Sequence, residues 1–248
     1  MGEDRPGRRA QGGALREPDQ RAPGPPRRPD GAEWLNFYGR RRGKALRPHQ
    51  RSLLDTRLAE LAPPPGAIEP ATLFPGARAL WLEIGFGGGE HLLRVAADNP
   101  AVGLIGCEPF MNGVAQFLAA LEAAGLSNVR LHADDARFLL TRLPAGALGR
   151  VYLLYPDPWP KRRHVARRFV NPGNLDILSR AMAPGAELRL ATDVLDYAAH
   201  ARRVLAARPD FVAARDGADP WPDWPGTRYE AKALREGRAP CYQIWRKV

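Results

Sequence analysis

The chain has 248 residues, 44% of them apolar, and a formal net charge of +10. That suits one α/β domain with a sizeable core and some appended sequence, and the basic balance asks for a polyanionic partner, most simply nucleic acid. No run approaches the ~18 apolar residues of a membrane span, the N-terminus lacks the apolar core of a signal peptide, and two cysteines give neither a disulfide framework nor metal spacing. A cytoplasmic protein with no membrane and no metal partner is expected. Cys107 and Cys241 sit in apolar contexts and read as buried free thiols.

The charge is concentrated. Residues 1–51 hold 13 Lys/Arg against 6 Asp/Glu, and residues 161–168 hold 5 Lys/Arg and no acid. Residues 1–33 are rich in Pro, Gly and Arg without apolar periodicity, and they read as a disordered basic tail. Residues 34–66 read as a basic segment, with Gly39 to Lys44 as a loop and Ala62 to Gly66 as a proline-rich linker. Residues 67–248 form the main domain.

Strand and helix signals then alternate. Strands are expected at Ala79–Ile84, Val102–Cys107, Val129–His132, Arg150–Leu154, Glu187–Ala191, Phe211–Ala214 and Tyr242–Lys247. Helices are expected at Glu90–Ala97, Met111–Ala124, Ala136–Arg142, Asn174–Met182, Tyr197–Ala207 and Thr227–Gly237. Seven strands interleaved with helices predict a Rossmann-like, doubly wound, mostly parallel sheet whose last two strands form an antiparallel edge pair. Ligands of such sheets sit beyond the carboxyl ends of the strands. Glu83/Gly85, Glu108, Asp134/Asp135, Asp157 and Asp193 all fall there.

Glu83-Ile84-Gly85-Phe86-Gly87-Gly88-Gly89-Glu90 joins the first core strand to its helix. Gly85, Gly87 and Gly89 let backbone approach a ligand closely. A dinucleotide fingerprint wants a third glycine where Glu90 stands, and a carboxylate there opposes a pyrophosphate. S-adenosylmethionine carries an ammonium and a sulfonium, which an acid-lined pocket favours. Glu108, at the end of the second strand, is placed to take both ribose hydroxyls. Asp134 or Asp135 could reach the adenine amino group, and either could instead cap the following helix; for the cap, Asp134 is favoured.

The densest signal is Tyr155-Pro156-Asp157-Pro158-Trp159-Pro160-Lys161-Arg162-Arg163-His164, with Arg167 and Arg168 beyond it. Two prolines make a rigid loop at a strand end. An indole can stack a base, a carboxylate can accept from its N–H edge, and the cations Lys161, Arg162, Arg163, Arg167 and Arg168 can hold phosphates. Trp159 could equally be a core aromatic. His164 reads as a phosphate contact or a structural residue.

These motifs, with Ala191-Thr192-Asp193 and Thr227-Arg228-Tyr229-Glu230, resemble the bacterial tRNA (guanine-N7-)-methyltransferase family over roughly Phe37 to the C-terminus. The resemblance implies methyl transfer from S-adenosylmethionine to N7 of guanine 46 of a tRNA. It implies cofactor contacts at Glu83, Glu108, Asp135 and Asp157, with Asp157 also catalytic. It implies tRNA contacts at Lys161, Asp193, Thr227, Arg228, Tyr229 and Glu230. Asp135, directly before Ala136, fits the adenine-side acid better than Asp134. A monomer is the simplest assembly. Two rivals remain at this point: an exocyclic-amine methyltransferase, whose motif needs adjacent prolines after the acid, and a non-catalytic RNA-binding module on the same fold.

Overall fold

In the computed structural model, residues 38–248 are described. The expected tail at 1–33 and the start of the 34–66 segment lie outside them. Seven strands form one sheet in the order β3-β2-β1-β4-β5-β7-β6. They are β1 (Ala79–Ile84), β2 (Val102–Cys107), β3 (Val129–His132), β4 (Leu148–Leu154), β5 (Met182–Thr192), β6 (Phe211–Gly217) and β7 (Cys241–Lys247). The first five run parallel. β7 lies antiparallel between β5 and β6. The doubly wound sheet with an antiparallel edge is therefore what forms.

The parallel strands are apolar almost throughout, as strands covered on both faces must be. Leu82, Leu104, Ile105, Leu131, Val151, Leu153, Leu188 and Leu190 are all buried. The helices are α1 (Pro48–Leu61), α2 (Pro70–Leu73), α3 (Glu90–Asp98), α4 (Met111–Ala124), α5 (Ala136–Arg142), α6 (Pro172–Ala181), α7 (Leu195–Ala206) and α8 (Arg228–Arg235). A right-handed crossover after β1 and β2 puts α3 and α4 on one face, and the reversed direction after β3 puts α5 and α6 on the other. In keeping with this, α3 packs on α4 and α5 on α6.

Three features differ from the sequence reading. The basic segment, for which no helix was expected, contains α1, which opens on Pro48, ends at Leu61 before the proline-rich linker, and packs against α4 and β3 through Leu53 and Leu61. β5 begins at Met182 rather than Glu187, because Pro184-Gly185 bulges within the strand: Leu148 pairs with Met182, and Arg150 already pairs with Glu187. The cationic run Arg162–Arg167, to which no element was assigned, is a 3-10 helix.

Register aligns the functional edge. Ile84 pairs with Cys107 and Leu153, Cys107 with His132, and Leu154 with Ala191. The acids that follow these positions therefore share one rim. The winding reverses between β1 and β4, and that is where doubly wound sheets open a crevice.

Candidate active site

The glycine turn after β1 is shaped by packing. Gly85, Gly87 and Gly89 have φ of 75°, 58° and 78°, a region other residues rarely adopt. A Cβ on Gly89 would lie 2.0 Å from the Phe117 ring, whereas one on Gly85 would meet nothing within 4 Å. Gly89 thus seats the turn against α4, and Gly85 is exposed at the rim.

Glu108 ties that turn to the next loop. Its carboxylate accepts from the Gly87 amide at 2.7 Å and from the Phe110 amide at 2.8 Å. Burial raises its carboxyl above the ordinary value; the two amides pull it down, and the charge of Asp157 pushes it up again. Each oxygen accepts one amide and has a lone pair left for a hydroxyl donor.

Glu83 is buried at the end of β1 and bonds the equally buried His91 of α3 at 2.7 Å. His91 packs edge-on to Tyr152 and against Trp224. It is a partner that sequence reasoning missed, although Glu83 and His91 both sit beside the glycine turn.

Asp134 and Asp135 take different parts from those expected. Asp135, not Asp134, caps α5, accepting from the Arg137 amide, and its two oxygens also bond the buried Arg137 guanidinium. Asp134 Oδ1 accepts from the Asp135 amide and from Arg41. Arg41 belongs to a segment fixed over α4: its carbonyl accepts from Met111, while the Asn112 side chain bonds Gly43 N and Lys44 O, each at 2.7 Å. The basic segment is thus docked at the rim, which its composition alone does not reveal.

The Pro-Asp-Pro loop after β4 is strained. Tyr155 and Trp159 are the two positive-φ non-glycine residues among the described residues, at 47° and 42°. Such conformations cost about 1–3 kcal/mol each and persist where surroundings over-determine them. Between them Asp157 is exposed, and among the described residues nothing donates a hydrogen bond to it. Trp159 is half-buried, edge-on to Tyr38 and His164, with the Arg167 guanidinium 5.0 Å from its ring.

Arg168 requires a correction. Read as a phosphate contact, it is 1% exposed: Nε donates to the Pro158 carbonyl at 2.9 Å, and the guanidinium bonds Asp196. It cannot reach a phosphate from there. Lys161, Arg162 and Arg163 are exposed. Arg163 donates to His164 Nε2 at 3.3 Å, and desolvation together with Arg167, Arg163 and Lys161 pushes the imidazole below its ordinary pKa.

α8 brings in the last group. Thr227 caps it, accepting from the Glu230 amide at 3.0 Å. Arg228 and Tyr229 lie over the glycine turn, with Arg228 3.5 Å from Glu90 and Tyr229 stacked on Tyr155 at a ring separation of 6.2 Å. Tyr229 is 45% exposed. Glu230 instead points inward, accepting from the Trp224 indole at 2.9 Å and from the Tyr242 hydroxyl. Asp193 pairs with Arg238 at 2.6 Å.

Residues 77–242 match the model of a family described as "Putative methyltransferase". The tRNA (guanine-N(7)-)-methyltransferase of Paracoccus denitrificans is 48% identical, covering 91% of this chain and 97% of that protein. The enzyme of the same name from Ruegeria pomeroyi is 50% identical, covering 86% and 94%. The chain belongs to the tRNA (guanine-N(7)-)-methyltransferase family. A member of that family is expected to carry a methyltransferase fold, and the solved 16S rRNA methyltransferase KamB shares it: TM-score 0.52 at 18% identity, covering 70% of this chain and 89% of that one. Among the described residues, no helix is long and apolar enough to cross a membrane, and no group of three or more His, Cys, Asp or Glu could hold a metal. Both cysteines are free and buried.

Proposed function

We propose that this chain transfers a methyl group from S-adenosylmethionine to N7 of a guanine in tRNA, at position 46. The observation that carries this reading is the meeting of the glycine turn, Glu108 and Asp157 at the reversal of the sheet, with Tyr229 beside them. The names of the half-identical relatives support the substrate and the acceptor atom.

The donor set suits the cofactor. Glu83, Glu108, Asp134, Asp135 and Asp157 line the rim, and an acidic surround favours a sulfonium and an ammonium. Glu108 would hold the ribose hydroxyls, Glu83 the ammonium, and Gly85, Gly87 and Gly89 the backbone approach. For the adenine amino group we keep Asp135. Its oxygens already serve Arg137, and Asp134 Oδ2 is the alternative acceptor. When bound, the cofactor supplies an electrophilic methyl group.

Guanine N7 offers a lone pair and carries no proton at neutral pH, so no obligatory base is needed. Catalysis rests on in-line positioning and on stabilising positive charge as it moves to the purine. Asp157, exposed and unpaired among the described residues, is the catalytic residue: it faces the developing cation or accepts from the N1–H and N2–H₂ edge. Tyr229 offers a face for the base. Thr227, Arg228 and Asp193 line the substrate side, Lys161 meets the tRNA, and Glu230 fixes α8 from beneath. Methylation of undermodified tRNA with labelled cofactor tests the reading: N7-methylguanosine is the expected product, and a neutral, exocyclic methylated nucleoside would refute it.

A further inference from the structure

A buried guanidinium inside a surface run of cations is the least expected feature of the rim. Arg162, Arg163 and Lys161 point to solvent, yet Arg168 is as buried as the core leucines. Its neighbours explain the position. Nε donates to the Pro158 carbonyl, one residue after Asp157, at 2.9 Å. Nη1 donates to the Asp196 carbonyl at 3.4 Å, and Nη2 bonds the Asp196 carboxylate in the first turn of α7. The guanidinium lies 5.3 Å from the centre of the Tyr197 ring.

One planar group therefore joins the loop after β4 to the start of the helix after β5. These are the two loops that carry Asp157 and Asp193. The first is bracketed by the positive-φ residues Tyr155 and Trp159, and its prolines offer no N–H for a turn to hold it. At its start the Tyr155 amide donates to the Ala191 carbonyl at 2.7 Å. The fork geometry of arginine allows one side chain to bond a carbonyl and a carboxylate together, which a lysine ammonium cannot match.

We infer that Arg168 is a positioning residue: it bonds the Pro158 carbonyl and Asp196 together, and so fixes the Asp157 loop and the Asp193 loop at one spacing for methyl transfer. It does not grip tRNA. This rests on the proposed role of Asp157. A misplacement of about 1 Å can cost on the order of a hundredfold in rate, so loss of this brace shows in turnover and not in binding.

The test uses the full chain, S-adenosylmethionine and undermodified tRNA. Arg168→Gln is expected to lower kcat tenfold or more, with tRNA affinity within twofold of the parent and an unchanged salt slope. Weaker tRNA binding with a shallower slope and parental kcat would overturn the inference. If Arg168→Gln does not fold, Asp196→Asn, on the exposed partner, decides: a several-fold fall in kcat at constant affinity supports the brace, and parental kcat overturns it. Asp157→Asn is measured alongside. A fully active Asp157→Asn overturns the proposed role of Asp157, whereas an inactive Asp157→Asn with a fully active Arg168→Gln overturns the inference about Arg168 alone.

Discussion

The charge of Asp157, on the loop after β4, is felt by the buried carboxyl of Glu108, at the end of β2, although β1 lies between them in the sheet. Glu108 in turn holds the Gly87 amide. Three separate loops thus meet over the carboxyl end of β1.

That meeting has a pH signature. The Glu108 carboxyl is raised from 4.5, chiefly by burial. A sulfonium and two ribose hydroxyls favour its ionised form, so affinity for S-adenosylmethionine rises as pH climbs through the raised value and then levels. The unliganded fold responds with the opposite sign: with a raised carboxyl the native state holds more protons than the unfolded chain, and stability falls over the same window. Calorimetric titration against pH checks the first trend and thermal unfolding the second. Both flatten in Glu108→Gln.

Asp135 is predicted to matter for folding before it matters for binding. Asp135→Ala removes the cap of α5 and leaves the buried Arg137 without its carboxylate. Losing an N-cap costs about 0.5–2 kcal/mol, and losing the charge pair adds to it. Urea unfolding should show a loss of that order, with Asp134→Ala much milder.

Tyr229 is exposed, and one side of its ring is already stacked on Tyr155. Base–aromatic stacking contributes about 1–3 kcal/mol, so Tyr229→Ala should lower kcat/KM for tRNA roughly five- to hundredfold. Tyr229→Phe should keep most of it, and the unfolding temperature of either variant should hardly move.

The cations of the 3-10 helix should act through binding. Arg162→Gln and Arg163→Gln each remove an exposed charge. Each is expected to weaken tRNA affinity and to reduce the salt slope by about 1 or less. Filter binding across a potassium chloride series measures both.

Much of this was legible in the sequence. Periodic apolar runs located β1 to β4 and α3 to α5 almost residue for residue, because those elements are buried and bounded by glycine or acidic caps. The rim acids followed from strand ends. What escaped depends on partners distant in the chain. α1 carries Leu54, Leu58 and Leu61 at helical spacing behind Pro48, but the stripe is short and set among basic residues, and the segment was read by its charge. Arg168 differs from Arg162 only by where the chain turns, so composition assigned both to phosphate. Glu230 was carried over as a tRNA contact because nothing local reveals Trp224 and Tyr242 beneath it.

The most direct test is mass mapping of tRNA methylated with isotopically labelled S-adenosylmethionine by the parent and by Asp157→Ala. The account predicts label in N7-methylguanosine at position 46 for the parent, and near-complete loss for a variant that is folded and still binds the cofactor. Parental turnover by Asp157→Ala in a single-turnover assay, or label on an exocyclic amine, would contradict it.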